Sequence, residues 1–175
     1  MIGMGTSERY SIWTIPSGVA YSQTQEIISY LSNKGHEFEP HVTLIGNFCT
    51  NREQAINALQ AISRGITPFE IQLVSVEYTA TPDLIIRAAT TPELSAVFAM
   101  VMGALAPVRH EVPGPHLSLH YGPVSAEKLS LAIHSAQAFL PLTFKVEVLY
   151  LCSTEGKAGQ WTIVSSTAIA EGLTK

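Results

Sequence analysis

Pro40-His41-Val42-Thr43-Leu44 and Pro115-His116-Leu117-Ser118-Leu119 are two copies of one pattern: proline, histidine, an aliphatic residue, a hydroxyl residue, leucine. On a β-strand, side chains alternate between faces, so positions i and i+2 point the same way. His41 and Thr43 therefore share one face, and His116 and Ser118 share another. Val42, Leu44, Leu117 and Leu119 turn to the opposite face, where a core would bury them. Each copy offers an imidazole beside a hydroxyl.

The copies are 75 residues apart, and the same offset relates other segments. Phe69 to Val74 falls on Phe144 to Leu149 with the same apolar-polar alternation. Tyr10 to Ile15 falls on Ile85 to Thr90, and then on Gln160 to Ser165. Asn51 to Ser63, with Ala55, Ile56, Leu59 and Ile62 at helical spacing, falls on Ala126 to Ala138 with Leu129, Ala132, Ile133 and Ala136. Each half thus reads strand, helix, histidine strand, helix, strand. The first half places these at about 10–15, 22–33, 41–48, 51–63 and 68–78. The second places them at about 83–90, 92–106, 116–121, 126–139 and 142–152, with a closing strand at 161–169. Turn residues punctuate the gaps, among them Pro16-Ser17-Gly18, Asn33-Lys34-Gly35, Thr81-Pro82-Asp83 and Pro113-Gly114-Pro115. The expected fold is α+β: one domain of two pseudo-symmetric lobes, about 10–80 and 83–169, with room for exchange of terminal strands. Two mostly antiparallel sheets would face a central cleft with helices outside, one histidine motif on each wall.

Composition narrows the function. Apolar residues make up 46% of the 175 and charged residues only 14%, the balance of a chain with a packed core rather than a disordered one. The net charge of −4 includes ten basic residues scattered along the chain. Grip on a long phosphate backbone needs clustered lysine and arginine to displace counterions, so a small ligand is expected and a stable nucleic-acid complex is not. The apolar run from Leu94 to Val108 is too short for the ~20 residues of a membrane span. Two cysteines, Cys49 and Cys152, do not make a disulfide framework. A cytoplasmic monomer without membrane attachment is the expectation.

Two imidazole-hydroxyl pairs converging on one cleft suit phosphate chemistry. Hydroxyls donate to non-bridging oxygens, while one imidazole removes a proton and the other supplies one. An unperturbed histidine pKa of ~6.5 serves both roles near neutral pH. No metal or other cofactor is needed. A His-x-Ser-x-His strand that includes His120 lacks a nearby third ligand.

Paired His-x-Thr/Ser motifs in a duplicated chain resemble the two-histidine (2H) phosphoesterase superfamily, which also contains the 2′-5′ RNA ligase-like proteins. Tyr10-Ser11-Ile12-Trp13-Thr14-Ile15-Pro16, Phe38-Glu39-Pro40-His41-Val42-Thr43-Leu44 and Pro115-His116-Leu117-Ser118-Leu119-His120-Tyr121-Gly122 are similar to segments of the plant and yeast cyclic phosphodiesterases. The resemblance implies a bilobal fold and hydrolysis of small cyclic phosphates: nucleoside 2′,3′-cyclic phosphates, opened to 2′-phosphates, and ADP-ribose 1″,2″-cyclic phosphate from tRNA splicing. It makes His41 and His116 the catalytic acid-base pair and Thr43 and Ser118 the phosphate-binding residues. Trp13 and Tyr121 match positions that line the substrate cleft. His120 departs from the pattern, since relatives commonly carry an apolar residue there. His36, His110 and His134 are expected to be solvated or capping residues. The rival readings are an RNA-end phosphodiesterase or 2′-5′ ligase-like enzyme, and a non-catalytic nucleotide-binding module.

Overall fold

The computed structural model describes residues 8–32, 36–105 and 114–170. The Asn33-Lys34-Gly35 turn, His110 and Pro113 lie outside them. The described chain runs β1 (Glu8–Thr14), α1 (Gly18–Leu31), β2 (Val42–Thr50), α2 (Arg52–Gly65), β3 (Phe69–Tyr78), β4 (Leu84–Ala88) and α3 (Pro92–Ala104). It continues with β5 (His116–His120), α4 (Ala126–Phe139), β6 (Leu142–Val146), β7 (Val148–Ser153), a short 3-10 turn (Ala158–Gln160) and β8 (Thr162–Ala168). Helix starts follow local chemistry. Asn51 Oδ1 accepts from the Gln54 amide, and Thr91 Oγ1 from the Leu94 amide, each satisfying a backbone donor that the first helical turn leaves open. Ser125 does the same for Lys128 in α4.

The fold is α+β, with helices against a curled antiparallel sheet. Its eight strands run β6-β3-β4-β5-β2-β1-β7-β8, so the two sheets expected from the duplication are halves of one continuous sheet. The halves join where β2 and β5 pair antiparallel through Val42 and Leu117. Their composition crosses the repeat boundary: β3, from the first repeat, pairs with β4 and β6, while β7 and β8 extend the sheet beyond β1. Helices cross too, α1 packing on α4 and α2 on α3.

One segment departs from its expected reading. The apolar pattern predicts a single strand over 142–152, but Glu147 divides it into β6 and β7, which pair with β3 and β1 in opposite halves of the sheet. A single residue separates the edge strand β6 from β7, which lies next to the opposite edge, and this requires the sheet to curl. The uniform 75-residue offset is also corrected. Trp13 pairs with Thr43 and Ile85 pairs with Ser118, so β1 and β4 correspond at 72 positions, not 75. Sequence alternation cannot detect a slip of three at an edge whose apolar residues, such as Ile85, continue through the shift.

Val42, Leu44, Leu117 and Leu119 are fully buried in the core with Ile28 of α1, Leu59 of α2, Val97 of α3 and Ala132 of α4. This is the face the alternation assigned to them. Leu117 stands at the junction of the half-sheets, so Leu117→Ala leaves a cavity there. We expect a loss of about 2–5 kcal/mol of unfolding free energy in urea titrations, with the far-ultraviolet spectrum unchanged at low urea.

Candidate active site

Extending the Val42–Leu117 antiparallel register by one residue each way sets His41 opposite Ser118 and Thr43 opposite His116. By strand alternation all four side chains emerge on the face away from the helical core. The motif strands are immediate neighbours, so the four groups meet along a seam, each imidazole beside the other repeat's hydroxyl.

The two imidazoles are held alike. His41 Nδ1 lies 2.6 Å from the Glu39 carbonyl oxygen, and His116 Nδ1 lies 3.1 Å from that of Gly114. Both partners stand two residues before their histidine. A carbonyl only accepts, so Nδ1 carries the hydrogen in each ring. Each Nε2 is then left to bind or release a proton.

Their surroundings differ. His41 is only 4% exposed, and the indole of Trp13 stacks on it at 3.7 Å and 14°. Burial pulls its pKa down to about 4; the Glu39 bond opposes this and the nearby His116 adds to it. His116 is half-buried and also lowered, first by burial. The Gly114 bond, Asp83 and Glu77 push it back up, while Arg87 pushes it down. Arg87 pairs with His116 across β4 and β5, and its guanidinium bonds Glu77 through Nε at 2.7 Å and Nη2 at 3.1 Å. The expectation that both histidines titrate near 6.5 is therefore corrected, because neither is solvated like a free imidazole.

Aromatic rings crowd the His41 end. Phe38, Tyr121 and Trp161 meet one another at centroid distances of 5.2 to 6.3 Å, and Trp161 sets its ring edge-on to His41 at 5.9 Å. Trp13, 3% exposed, gives one face to His41, so what it offers most directly is support for that ring. Tyr121 is 38% exposed, yet it bonds the Ser118 hydroxyl, and burial drives its own hydroxyl up to about 12. Thr43 is half-buried and Ser118 buried. His120 ends β5 with its ring bonded to the backbone of Pro123, so the turn after the strand claims it. His36 and His134 are exposed. Among the described residues, no group of three His, Cys, Asp or Glu side chains is placed to hold a metal ion, and no helix is long and apolar enough to cross a membrane.

A family model of the 2′-5′ RNA ligase superfamily matches residues 17–158, most of the chain. The chain belongs to the 2′-5′ RNA ligase superfamily. Solved structures agree at the level of fold. E. coli LigT in apo form superposes with a TM-score of 0.65 at 13% identity, covering 95% of this chain and 100% of LigT. A structure described as a phosphoesterase gives 0.64 at 13%, covering 94% and 99%. TT0787 of Thermus thermophilus gives 0.62 at 17%, covering 94% and 99%. No protein of curated function matches in sequence.

Within this member of the superfamily, sequence reasoning missed Trp161. It precedes β8 outside any motif, and only the fold brings it to His41; its one signal is being the second tryptophan in the chain. Asp83, whose charge reaches His116, stands out in the sequence only as a turn residue.

Burial of neutral His41 has a consequence for stability. Its folded pKa of about 4 lies below the ordinary 6.5, so the unfolded chain takes up the proton first as pH falls. The stability due to this group is full above pH 6.5 and lost on descending toward pH 4, on the order of 3 kcal/mol in all. Urea titrations at pH 7 and pH 4.5 check this. His41→Gln should lose less stability than the parent protein over that interval.

Proposed function

We propose that the protein hydrolyses small cyclic phosphodiesters without a metal, opening nucleoside 2′,3′-cyclic phosphates to 2′-phosphates and acting likewise on ADP-ribose 1″,2″-cyclic phosphate. The observation that carries this reading is the matched pair of imidazoles, each bonded through Nδ1 to a carbonyl, with two hydroxyls beside them at the β2–β5 seam. A binding module needs donors for a phosphate but not two imidazoles prepared for proton transfer at Nε2. Solved structures of LigT, which shares the fold, are complexes with phosphate and with 3′-AMP.

The environments support one assignment of the roles. His41, buried and neutral over most of the pH range, is the base: its Nε2 takes a proton from water as the water oxygen attacks phosphorus. His116, with the carboxylates of Asp83 and Glu77 favouring its charged form, is the acid. Its Nε2 proton passes to the 3′-oxygen as the bond from phosphorus to that oxygen breaks, leaving a 2′-phosphate. Thr43 and Ser118 donate to the non-bridging oxygens as negative charge builds there. The aromatic wall of Phe38, Tyr121 and Trp161 suits the flat face of a base.

His41→Ala and His116→Ala should each lower kcat on a 2′,3′-cyclic nucleotide by about 10²–10⁴-fold while the protein stays folded. Activity should survive EDTA. Full turnover by either variant would sink the proposal.

With the base near 4 and the acid below 6.5, kcat/KM should trace a bell whose maximum lies on the acid side of neutrality. Its acid limb reports His41 and its alkaline limb His116. A maximum above pH 8 would contradict these assignments.

The family match makes action on RNA ends the second reading. Comparing a cyclic mononucleotide with an oligonucleotide ending in a cyclic phosphate separates the two, because an RNA-end enzyme prefers the oligonucleotide.

A further inference from the structure

Six residues after each motif histidine, the backbone turns to positive φ: Asn47 at 57° and Gly122 at 89°. At both turns the amide is taken by a side-chain oxygen from the neighbouring strand region. Asn47 N donates to Ser11 Oγ at 3.1 Å, and Gly122 N donates to Asp83 Oδ1 at 3.0 Å. Ser11 and Asp83 stand 72 positions apart, the correspondence that the cross-strand register establishes for β1 and β4. The duplication has therefore kept one device in both repeats: a side-chain clamp on a left-handed residue six positions after the motif histidine, within β2 in the first repeat and just past β5 in the second.

The copies present different things. In the first repeat the clamp is neutral, with Ser11 Oγ also lying 3.4 Å from Thr154 Oγ1. The residue before its left-handed position is Gly46, where a Cβ would press on Thr43 Cγ2 at 3.3 Å. In the second repeat that preceding residue is Tyr121, which reaches Phe38 and Trp161. The clamp there is a carboxylate, itself held because Asp83 N donates to Thr79 Oγ1 and Thr81 Oγ1 donates to Asp83 Oδ2, each at 3.2 Å. A hydroxyl suffices to hold the first turn, so the charge of Asp83 is a separate feature of the second.

We propose that Asp83 is a positioning residue of the site: it clamps the Gly122 amide, so setting Tyr121 against the aromatic wall, and it presents its charge to His116. The first part rests on geometry alone. The second concerns a field to which, among the described residues, Arg87 of β4, Glu77 of β3 and His41 beside β2 also contribute. Only the effect on turnover rests on the cyclic phosphodiesterase reading.

Two variants separate the parts. Asp83→Asn keeps an oxygen for Gly122 but removes the charge, and Asp83→Ala removes both. In the substrate-free protein, amide exchange at Gly122 should stay slow in Asp83→Asn and accelerate at least tenfold in Asp83→Ala. Asp83→Leu, which has no side-chain oxygen to offer Gly122, gives the same readout where Asp83→Ala does not fold. The His116 titration, followed by NMR, should move to lower pH in Asp83→Asn. With a 2′,3′-cyclic nucleotide, Asp83→Ala should raise KM about tenfold with a smaller change in kcat. Asp83→Asn should keep KM and shift the alkaline limb of the pH profile toward acid. Unchanged Gly122 exchange in folded Asp83→Ala or Asp83→Leu overturns the clamp, and an unmoved His116 titration in Asp83→Asn overturns the charge role. Because both measurements need no substrate, they decide the proposal even if the parent protein proves inactive on cyclic phosphates.

Discussion

Antiparallel pairing of Val42 with Leu117 joins the two halves of the sheet, and the site follows from it. It sets the aliphatic residues of both motifs back to back in the core, where Val42 and Leu117 are fully buried. On the opposite face, the same alternation delivers two imidazoles and two hydroxyls. A slip of one residue at this junction would exchange the faces, burying the histidines in the helical core and exposing leucines. The apolar demand of the core thus enforces the register that assembles the polar cluster.

Around that junction the duplication is retained in backbone and broken in side chains. Both imidazoles bond a carbonyl two residues upstream, and each motif is followed, six residues after its histidine, by a clamped left-handed residue. Against this common frame, Trp13 lies flat on His41, whereas His116 stands opposite Arg87 and feels the charges of Asp83 and Glu77. One imidazole is consequently buried among rings and the other set among charges. For the acid-base roles proposed above, such a difference suits a pair in which one imidazole starts neutral and the other charged. The carbonyl bonds orient both rings without making them alike.

Curling of the sheet is what makes the cluster a site. Segment 142–153 pairs with β3 through β6 and with β1 through β7, with Glu147 alone between. The chain beyond it returns as Trp161 and β8, adding the ring that stands edge-on to His41. Tyr121, from the end of β5, meets Trp161 at 5.6 Å. The aromatic wall therefore draws on residues before β2, after β5 and before β8, and its assembly depends on the curl.

The sequence by itself determined the duplication, the four helices, the motif strands and which motif residues share a face. These follow from local periodicity and from repeated spacing, both of which survive in a linear string. It also singled out His41, Thr43, His116 and Ser118 as a set, because two phased copies of a weak motif constrain each other. Tertiary structure decided the rest: that the two expected sheets are one, that 142–152 divides at Glu147, that β1 and β4 correspond at 72 positions, that Trp161 stands edge-on to His41 and that Asp83 holds the Gly122 amide. It also separated the proton affinities of the two histidines, which the motifs present as equivalent. The physical reason is the same throughout. Strand partners, burial and electric field are properties of neighbours in space, and for these residues the deciding neighbours are remote in the chain.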